Sequence, residues 1–329
     1  MTAKHLLFIG GTGKISSACV ARAVAVGHQV TVLNRGEVTV RSLPEGVERL
    51  RGDIRRPETV RAALGSRSFD AVCEFVAFTP EHIATDLELF SGRTAQYVFI
   101  SSASAYQTPP ARLPVTESTP LRNPYWQYSR DKIACEDLLV AAYRDHGFPA
   151  TIVRPSHTYD RTMMLTTGGW TDIARLRAGK PAIVHGDGTS QWTVTHHRDF
   201  AVGFVGLLGR PETVGDSFHI TGDQAPTWNQ IYTWMAEAAG AVPALVHVPS
   251  TLIGAVRPEL GPGLLGDKAH SRVFDNSKVK ALVPEFRTTT TFSDGAREIM
   301  AWYDEHPEAQ RHDAELDAAF DRMADAVTI

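Results

Sequence analysis

The most restrictive feature of this chain is the rhythm of its first half, where short apolar runs alternate with stretches of helical spacing. Residues 6–9 are wholly apolar, as a parallel strand buried on both faces requires. Helical spacing follows over 15–26 and stops at Gly27. Further strands are predicted at 30–33, 49–53, 70–76, 96–101 and 151–154. Helices are predicted at 57–64, led by Pro57, at 80–90, and from about 124 to 146. Such alternation implies right-handed crossovers and an α/β fold with a doubly wound parallel sheet.

Between the first strand and the first helix stands Phe8-Ile9-Gly10-Gly11-Thr12-Gly13-Lys14-Ile15-Ser16. Glycines there allow a tight turn and let backbone amides approach a pyrophosphate, while the helix N-terminus supplies partial positive charge. The alternative is a glycine-rich turn that holds no ligand. Read as a dinucleotide loop, it makes the first half a Rossmann-type domain and assigns Gly10, Gly11, Thr12, Gly13, Lys14 and Ile15 to the cofactor. The second strand ends Leu33-Asn34-Arg35, with no carboxylate to meet a ribose 2′-hydroxyl. Arg35 could instead pair with a 2′-phosphate, which favours NADP over NAD, or stack on adenine in either cofactor. Asp53 could accept from the adenine amino group or cap its own loop.

Tyr128 and Lys132 lie four residues apart on a predicted helix and so share a face. A phenol with pKa ~10 is too weakly acidic to act as a base at neutral pH. A close ammonium is expected to lower it by about 1–3 units. Tyr128 could then take a proton from a substrate alcohol as hydride leaves its carbon. Lys132 could also hold the nicotinamide ribose. Ser102 stands 26 residues before Tyr128, where the fifth strand ends, and a hydroxyl there could orient the reacting oxygen. Ser101, Ser102 and Ser104 could equally be strand-end caps.

After residue 155 the rhythm changes. Residues 156–198 are rich in Gly, Thr and His. Thr227 is a candidate cap for a helix through 239, and 245–248 reads as a short strand. Residues 250–270, rich in Gly and Pro, are predicted to be loop, Ser293 to cap a helix through 303, and 310–326 to form an acidic amphipathic helix. The organisation implied by the family resemblance given below is a Rossmann domain over 1–155, with 185–225 returning to it. A smaller C-terminal α/β substrate lobe takes 156–184 and 226–310, and 311–329 forms a C-terminal helix.

Composition narrows the partners. The formal charge of −4 gives no global attraction to nucleic acid or anionic membrane, although 49–56 is locally basic. Cys19, Cys73 and Cys135 are odd in number and lack metal-ligand spacing, so each is expected to be a buried free thiol. His157, His185, His196 and His197 match no metal motif, and no metal is expected. No apolar run reaches a membrane span, and the N-terminal apolar run is too short for a secretory signal, so a soluble cytoplasmic protein is expected.

Together these residues resemble the extended short-chain dehydrogenase/reductases, the NAD-dependent epimerase/dehydratase family. The resemblance rests on the glycine loop, Asp53-Ile54, the Ser102 segment, Tyr128 with Lys132, Arg154-Pro155 with Tyr159, Asp275-Asn276-Ser277-Lys278 and Trp302-Tyr303. It implies Ser102, Tyr128 and Lys132 as catalytic residues, with Ile54 and Pro155 against the cofactor. It also places Ser104 at the substrate and Glu74 near the nicotinamide pocket, as a second acid/base group, a substrate hydrogen-bond acceptor or a neutralised structural carboxylate, and implies a homodimer through exposed helix faces; of the four histidines, His157 at most is expected to contact substrate.

Departures from the family pattern narrow the activity. Ser16 replaces a third loop glycine, and Asp160-Arg161 replaces Gly-Pro after Tyr159. Ala103 and Ser104 stand where dehydratases carry an acidic pair, and decarboxylases carry Glu at the position of Ser104, so both reactions are disfavoured. Trp192 and Leu264 stand where the family clamps a substrate diphosphate with arginines. Either Lys268, Arg161 or Arg272 replaces the clamp, or the substrate has no diphosphate and stacks on Trp192. The expected activity is epimerisation or oxidoreduction at a secondary alcohol of a sugar, nucleoside or sugar nucleotide, with NAD suiting an epimerase and NADP a reductase. Segments 32–36 and 192–199 also resemble the chloroplast stem-loop RNA-binding branch, which leaves a non-catalytic cofactor-sensing or RNA-binding protein as the alternative.

Overall fold

The computed structural model describes residues 2–36 and 41–327. Its strands are β1 (His5–Ile9), β2 (Gln29–Asn34), β3 (Glu48–Arg51), β4 (Ala71–Glu74), β5 (Tyr97–Ile100), β6 (Ala150–Pro155), β7 (His157–Tyr159), β8 (Ala182–His185), β9 (Val194–His196), β10 (Ser217–Ile220) and β11 (Leu245–Val248). The helices of the first half are α1 (Ser16–Ala25), α2 (Pro57–Leu64), α3 (Pro80–Phe90) and α4 (Gln127–His146). Those of the second half are α5 (Trp170–Arg177), α6 (His197–Gly206), α7 (Trp228–Ala238), α8 (Ser250–Val256), α9 (Gly261–Gly263), α10 (Ser277–Leu282), α11 (Phe292–Glu305) and α12 (Ala314–Val327). The ends of the expected segments 1–155 and 311–329, and residues 37–40, lie outside the described residues.

One Rossmann-like sheet of parallel strands runs β10-β6-β5-β4-β1-β2-β3. The chain builds from β1 to β3 on one side, then crosses back to start β4 on the other. That reversal opens a crevice beyond the carboxyl ends of β1 and β4, the usual ligand position in such sheets. Leu6, Leu7, Phe8 and Ile9 are at most 1% exposed, because β1 lies mid-sheet with helices over both faces. α3 starts at a capping box between Thr79 and His82 with Pro80 in its first turn, and α4 stops at Gly147, whose φ of +66° is left-handed.

Three local expectations are corrected. α4 begins at Gln127 rather than 124, because Asn123 Oδ1 accepts the amides of Tyr125 and Trp126 and holds them in a turn. Residues 250–268 are largely helical rather than loop, ending in a π-helical turn at Leu264–Lys268. Their glycines serve contact: a Cβ on Gly254 would lie 3.0 Å from the Cα of Gly261. The cap of α11 is Thr291, which accepts from the Asp294 amide, not Ser293.

The second lobe is built on two short parallel pairs, β8 with β11 and β7 with β9. Its core gathers Trp192, Trp228, Ile231, Tyr232, Phe292 and Ile299. Val279, Val283 and Phe286 pack instead with Leu6 and Phe8 in the core of the large sheet. The stretch 226–310 therefore does not belong wholly to the lobe. Cys19, Cys73 and Cys135 are free and buried. Among the described residues no helix is long and apolar enough to cross a membrane.

Candidate active site

The turn after β1 opens the site. Gly10 has a φ of +79°, and a Cβ there would meet Val76 Cγ1 at 2.5 Å, so the loop closes only around glycine. Ser16, in place of the third glycine, ties the loop together. Its Oγ donates to the Gly10 carbonyl at 2.6 Å and accepts the Gly13 amide at 2.9 Å. Among the described residues no protein acceptor takes the amides of Lys14 or Ile15, which leaves two donors at the start of α1 for an anion. Gly11 differs from expectation. A Cβ there would strike Val32 and Val20, so this glycine serves the packing of α1 on the sheet and lines neither chamber.

Two chambers flank the loop. One, of about 400 Å³, is lined by Thr12, Asn34, Arg35, Asp53 and Ile54, together with Arg41 and Arg55. Asn34 Oδ1 accepts the Gly36 amide and Asp53 Oδ1 the Arg55 amide, so both also shape their own turns. The other, of about 430 Å³, is lined by Lys14, Ile15, Ser102, Ser104, Tyr128, Lys132, Pro155, His157 and Trp192. The residues thus fit an extended dinucleotide: amide donors at the loop, arginines at one end, and the Ser102, Tyr128 and Lys132 group at the other.

The electrostatics correct one expectation. Burial raises the Tyr128 hydroxyl above its ordinary value, opposed by a hydrogen bond with Ser102 and reinforced by the charge of Asp267. The anticipated lowering by Lys132 does not figure among the influences on that hydroxyl, the ammonium being engaged with two backbone carbonyls. Its Nζ donates to the carbonyls of Ala77 and Ile100, at 2.7 Å each, and lies 5.8 Å from the centre of the Tyr128 ring. Desolvation pulls Lys132 itself down to about 8. Behind Tyr128, Ser129 donates to Ser104 Oγ at 2.8 Å, and Ser104 Oγ lies 2.8 Å from Ser102 Oγ. Ser104 is only 3% exposed and holds Ser102 in place more than it faces a substrate.

Other expected contacts fall elsewhere. Glu74 is fully buried, its carboxyl accepts the Val76 amide, and burial beside Asp86 raises it well above the carboxylate range. It lines neither chamber, so it is a structural group rather than a substrate contact. Trp192 is 1% exposed, edge-on to His157 at 4.3 Å and tilted against Trp228, so it backs the wall instead of offering an open stacking face. Of the candidate clamp replacements, Arg272 is sealed at 0% exposure and Arg161 lines a separate cavity beside α1 and α6. Lys268 alone of the three faces a side chamber shared with His157, Met163 and Leu264.

Arg154 pairs with Glu136 through a buried double contact and its Nη1 donates to Tyr106 Oη, so the arginine of the Arg154-Pro155 signature braces β6. Asp160 binds Arg41 at 2.7 Å. His185 Nε2 lies 3.1 Å from the Lys268 carbonyl, His196 caps α6, and His197 lines the separate cavity. Among the described residues no histidine, cysteine or carboxylate group is arranged to hold a metal.

Sequence reading missed Asp267, Trp126, Phe75 and Phe78, all of which line the second chamber. Ser129, next to Tyr128, carried a signal in its position. Asp267 carried only its place after Gly266.

The fold is of the Rossmann type, and two chambers flank its glycine loop. Residues 6–221 match the NAD dependent epimerase/dehydratase family, and the chain belongs to that family. It is 28% identical over 288 residues to a 2′-dehydrokanamycin reductase of Streptomyces kanamyceticus, covering 86% of this chain and 80% of that protein. It is 27% identical to the chloroplast stem-loop binding protein of 41 kDa b of Arabidopsis thaliana, covering 74% of this chain and 66% of that one. Its fold matches a UDP-glucose 4-epimerase of Bifidobacterium longum, solved with NAD+ and UDP, at a TM-score of 0.73 and 19% identity over 93% of this chain and 99% of that one.

Proposed function

We propose that this protein is a nicotinamide-dependent oxidoreductase that interconverts a ketone and a secondary alcohol on a sugar without a diphosphate. The observation that carries the reading is the convergence of Ser102, Tyr128 and Lys132 on one chamber that adjoins the glycine loop. A bound nicotinamide supplies or takes up the hydride. Tyr128, raised by burial, keeps its proton at neutral pH and gives it to the ketone oxygen. Ser102, held by Ser104 and Ser129, orients that oxygen. Lys132 ties α4 to β5 through the Ile100 carbonyl and fixes the height of Tyr128 in the chamber.

Three features support the finer assignment. Both positions at which the family clamps a diphosphate hold apolar residues, Trp192 and Leu264, which disfavours a nucleotide sugar. The likeness to a 2′-dehydrokanamycin reductase agrees with a ketone bearing no nucleotide. Arg35, Arg41 and Arg55 line the adenosine end, with Asp53 as the single carboxylate among the described residues, which favours NADP.

The test is hydride exchange by the purified chain, with NADPH and NADH in parallel. The substrates are 2′-dehydrokanamycin, free keto sugars and UDP-glucose. Turnover of a free ketone, lost in Tyr128→Phe with cofactor binding intact, is expected. Epimerisation of UDP-glucose, or turnover that survives Tyr128→Phe, would overturn the reading.

A further inference from the structure

A line of three polar residues runs from the core of the second lobe to the substrate chamber. Arg272, at 0% exposure, lies 3.8 Å through Nε from Asp267 Oδ1, and Asp267 Oδ2 lies 3.4 Å from His157 Nε2. Both His157 and Asp267 border the chamber, where the His157 side chain keeps 17% exposure. Asp267 is pinned from behind. The carbonyl of the next residue, Lys268, is met by Ser190 Oγ at 2.9 Å, His185 Nε2 at 3.1 Å and Trp228 Nε1 at 3.2 Å. The His157 ring is fixed edge-on against Trp192 and Trp228 at 4.3 and 6.1 Å.

A carboxylate facing Nε2 selects the tautomer that carries its proton there. The other nitrogen, Nδ1, then holds a bare lone pair, and among the described residues no protein group is hydrogen-bonded to it. His157, Asp267 and Tyr128 all line the chamber, so a substrate that reaches Tyr128 lies in the space that His157 borders.

We propose that His157, oriented by Asp267 and Arg272, is a specificity residue whose unprotonated Nδ1 accepts a hydrogen bond from a hydroxyl or amine of the substrate. The inference deepens the oxidoreductase reading and rests on it for the identity of the substrate as a sugar. It gives the chamber a preference that a diphosphate clamp would not: an uncharged or cationic donor group close to the reacting carbon. The groups facing His157 oppose one another in sign, and those that disfavour its charge prevail. Burial and the Lys268 ammonium disfavour its protonated form and outweigh the carboxylate of Asp267, so the imidazole stays neutral at neutral pH. Asp267 is in turn held by Arg272, and Tyr128 is uncharged across the chamber.

The test uses the full chain saturated with NADP+ and labelled with 15N-histidine, the His157 signals being assigned from His157→Gln. The expected spectrum at neutral pH shows a protonated Nε2 and a bare Nδ1, and Asp267→Asn redistributes the proton between them. Kanamycin and methyl glucoside are then added separately, and at least one is expected to shift the Nδ1 signal, which separates amine from hydroxyl recognition. A protonated Nδ1, or no response to either probe, overturns the proposal. With a turned-over ketone in hand, His157→Gln is expected to raise KM at least tenfold while kcat stays within about threefold, and to abolish the acid limb of kcat/KM. An unchanged KM and pH profile in that variant overturns the role of His157 and leaves the oxidoreductase reading intact. A shifted Nδ1 signal without hydride exchange does the reverse.

Discussion

Ser16 Oγ spans the phosphate loop, donating to the Gly10 carbonyl at 2.6 Å and accepting from Gly13. A side chain thus does at this turn what close glycine packing does in the family pattern. Ser16→Ala leaves a carbonyl and an amide short of a partner in a nearly dry site, since Ser16 is 1% exposed. The expected outcome is a loss of about 1–2 kcal/mol in stability and weaker cofactor binding. Thermal unfolding with and without NADP+ checks both.

Tyr128→Phe removes the proton donor but keeps the ring. Turnover should fall by roughly 10²–10⁴, with cofactor affinity within a few-fold of wild type. A fluorescence titration with NADPH separates the two quantities.

The direction of the Tyr128 shift sets a pH dependence. Because burial raises its pKa, the hydroxyl is protonated through neutral pH, and its titration should leave ketone reduction unchanged there and lower it in alkali. Alcohol oxidation needs the phenolate and should rise with pH over the same range. Initial rates in both directions across a pH series test this, and parallel profiles would contradict it.

Asp86 is buried beneath β4, accepts from Tyr97 Oη at 2.6 Å, and is raised to about 7 by desolvation. A carboxyl raised in the folded state contributes stability that is present below its unfolded pKa and is lost as pH climbs through the folded one. The wild type should therefore lose stability relative to Asp86→Asn between about pH 4 and 7. Paired melting curves across that window measure the difference, and a constant gap would count against it.

Arg35 lines the adenosine chamber next to Asn34. Arg35→Asp is expected to weaken NADP+ binding at least tenfold while changing NAD+ binding by less than about threefold. Calorimetric titration with each cofactor is the check.

Much of the scaffold could be read along the chain, and the reasons are local. The four apolar residues of β1, the glycines of the following turn, and the capping boxes at Thr79 and Thr227 are each decided by neighbours a few positions away. The spacing of Tyr128 and Lys132 is a property of one helix. The same local logic failed at 250–268, where glycine and proline suggested loop. There Gly254 and Gly261 let two short helices touch, a contact set by a neighbour in space.

The sequence by itself determined the sheet-and-helix order, the phosphate turn and the shared helix face of Tyr128 and Lys132, because periodicity and turn chemistry act over a few residues. Only the tertiary structure decided which polar groups face the substrate and how they are charged. It sealed Glu74 inside, turned Lys132 toward two carbonyls, and brought Asp267 beside His157 from 110 positions along the chain. Burial and long-range contact set the protonation of such groups, and neither is written in the residues beside them.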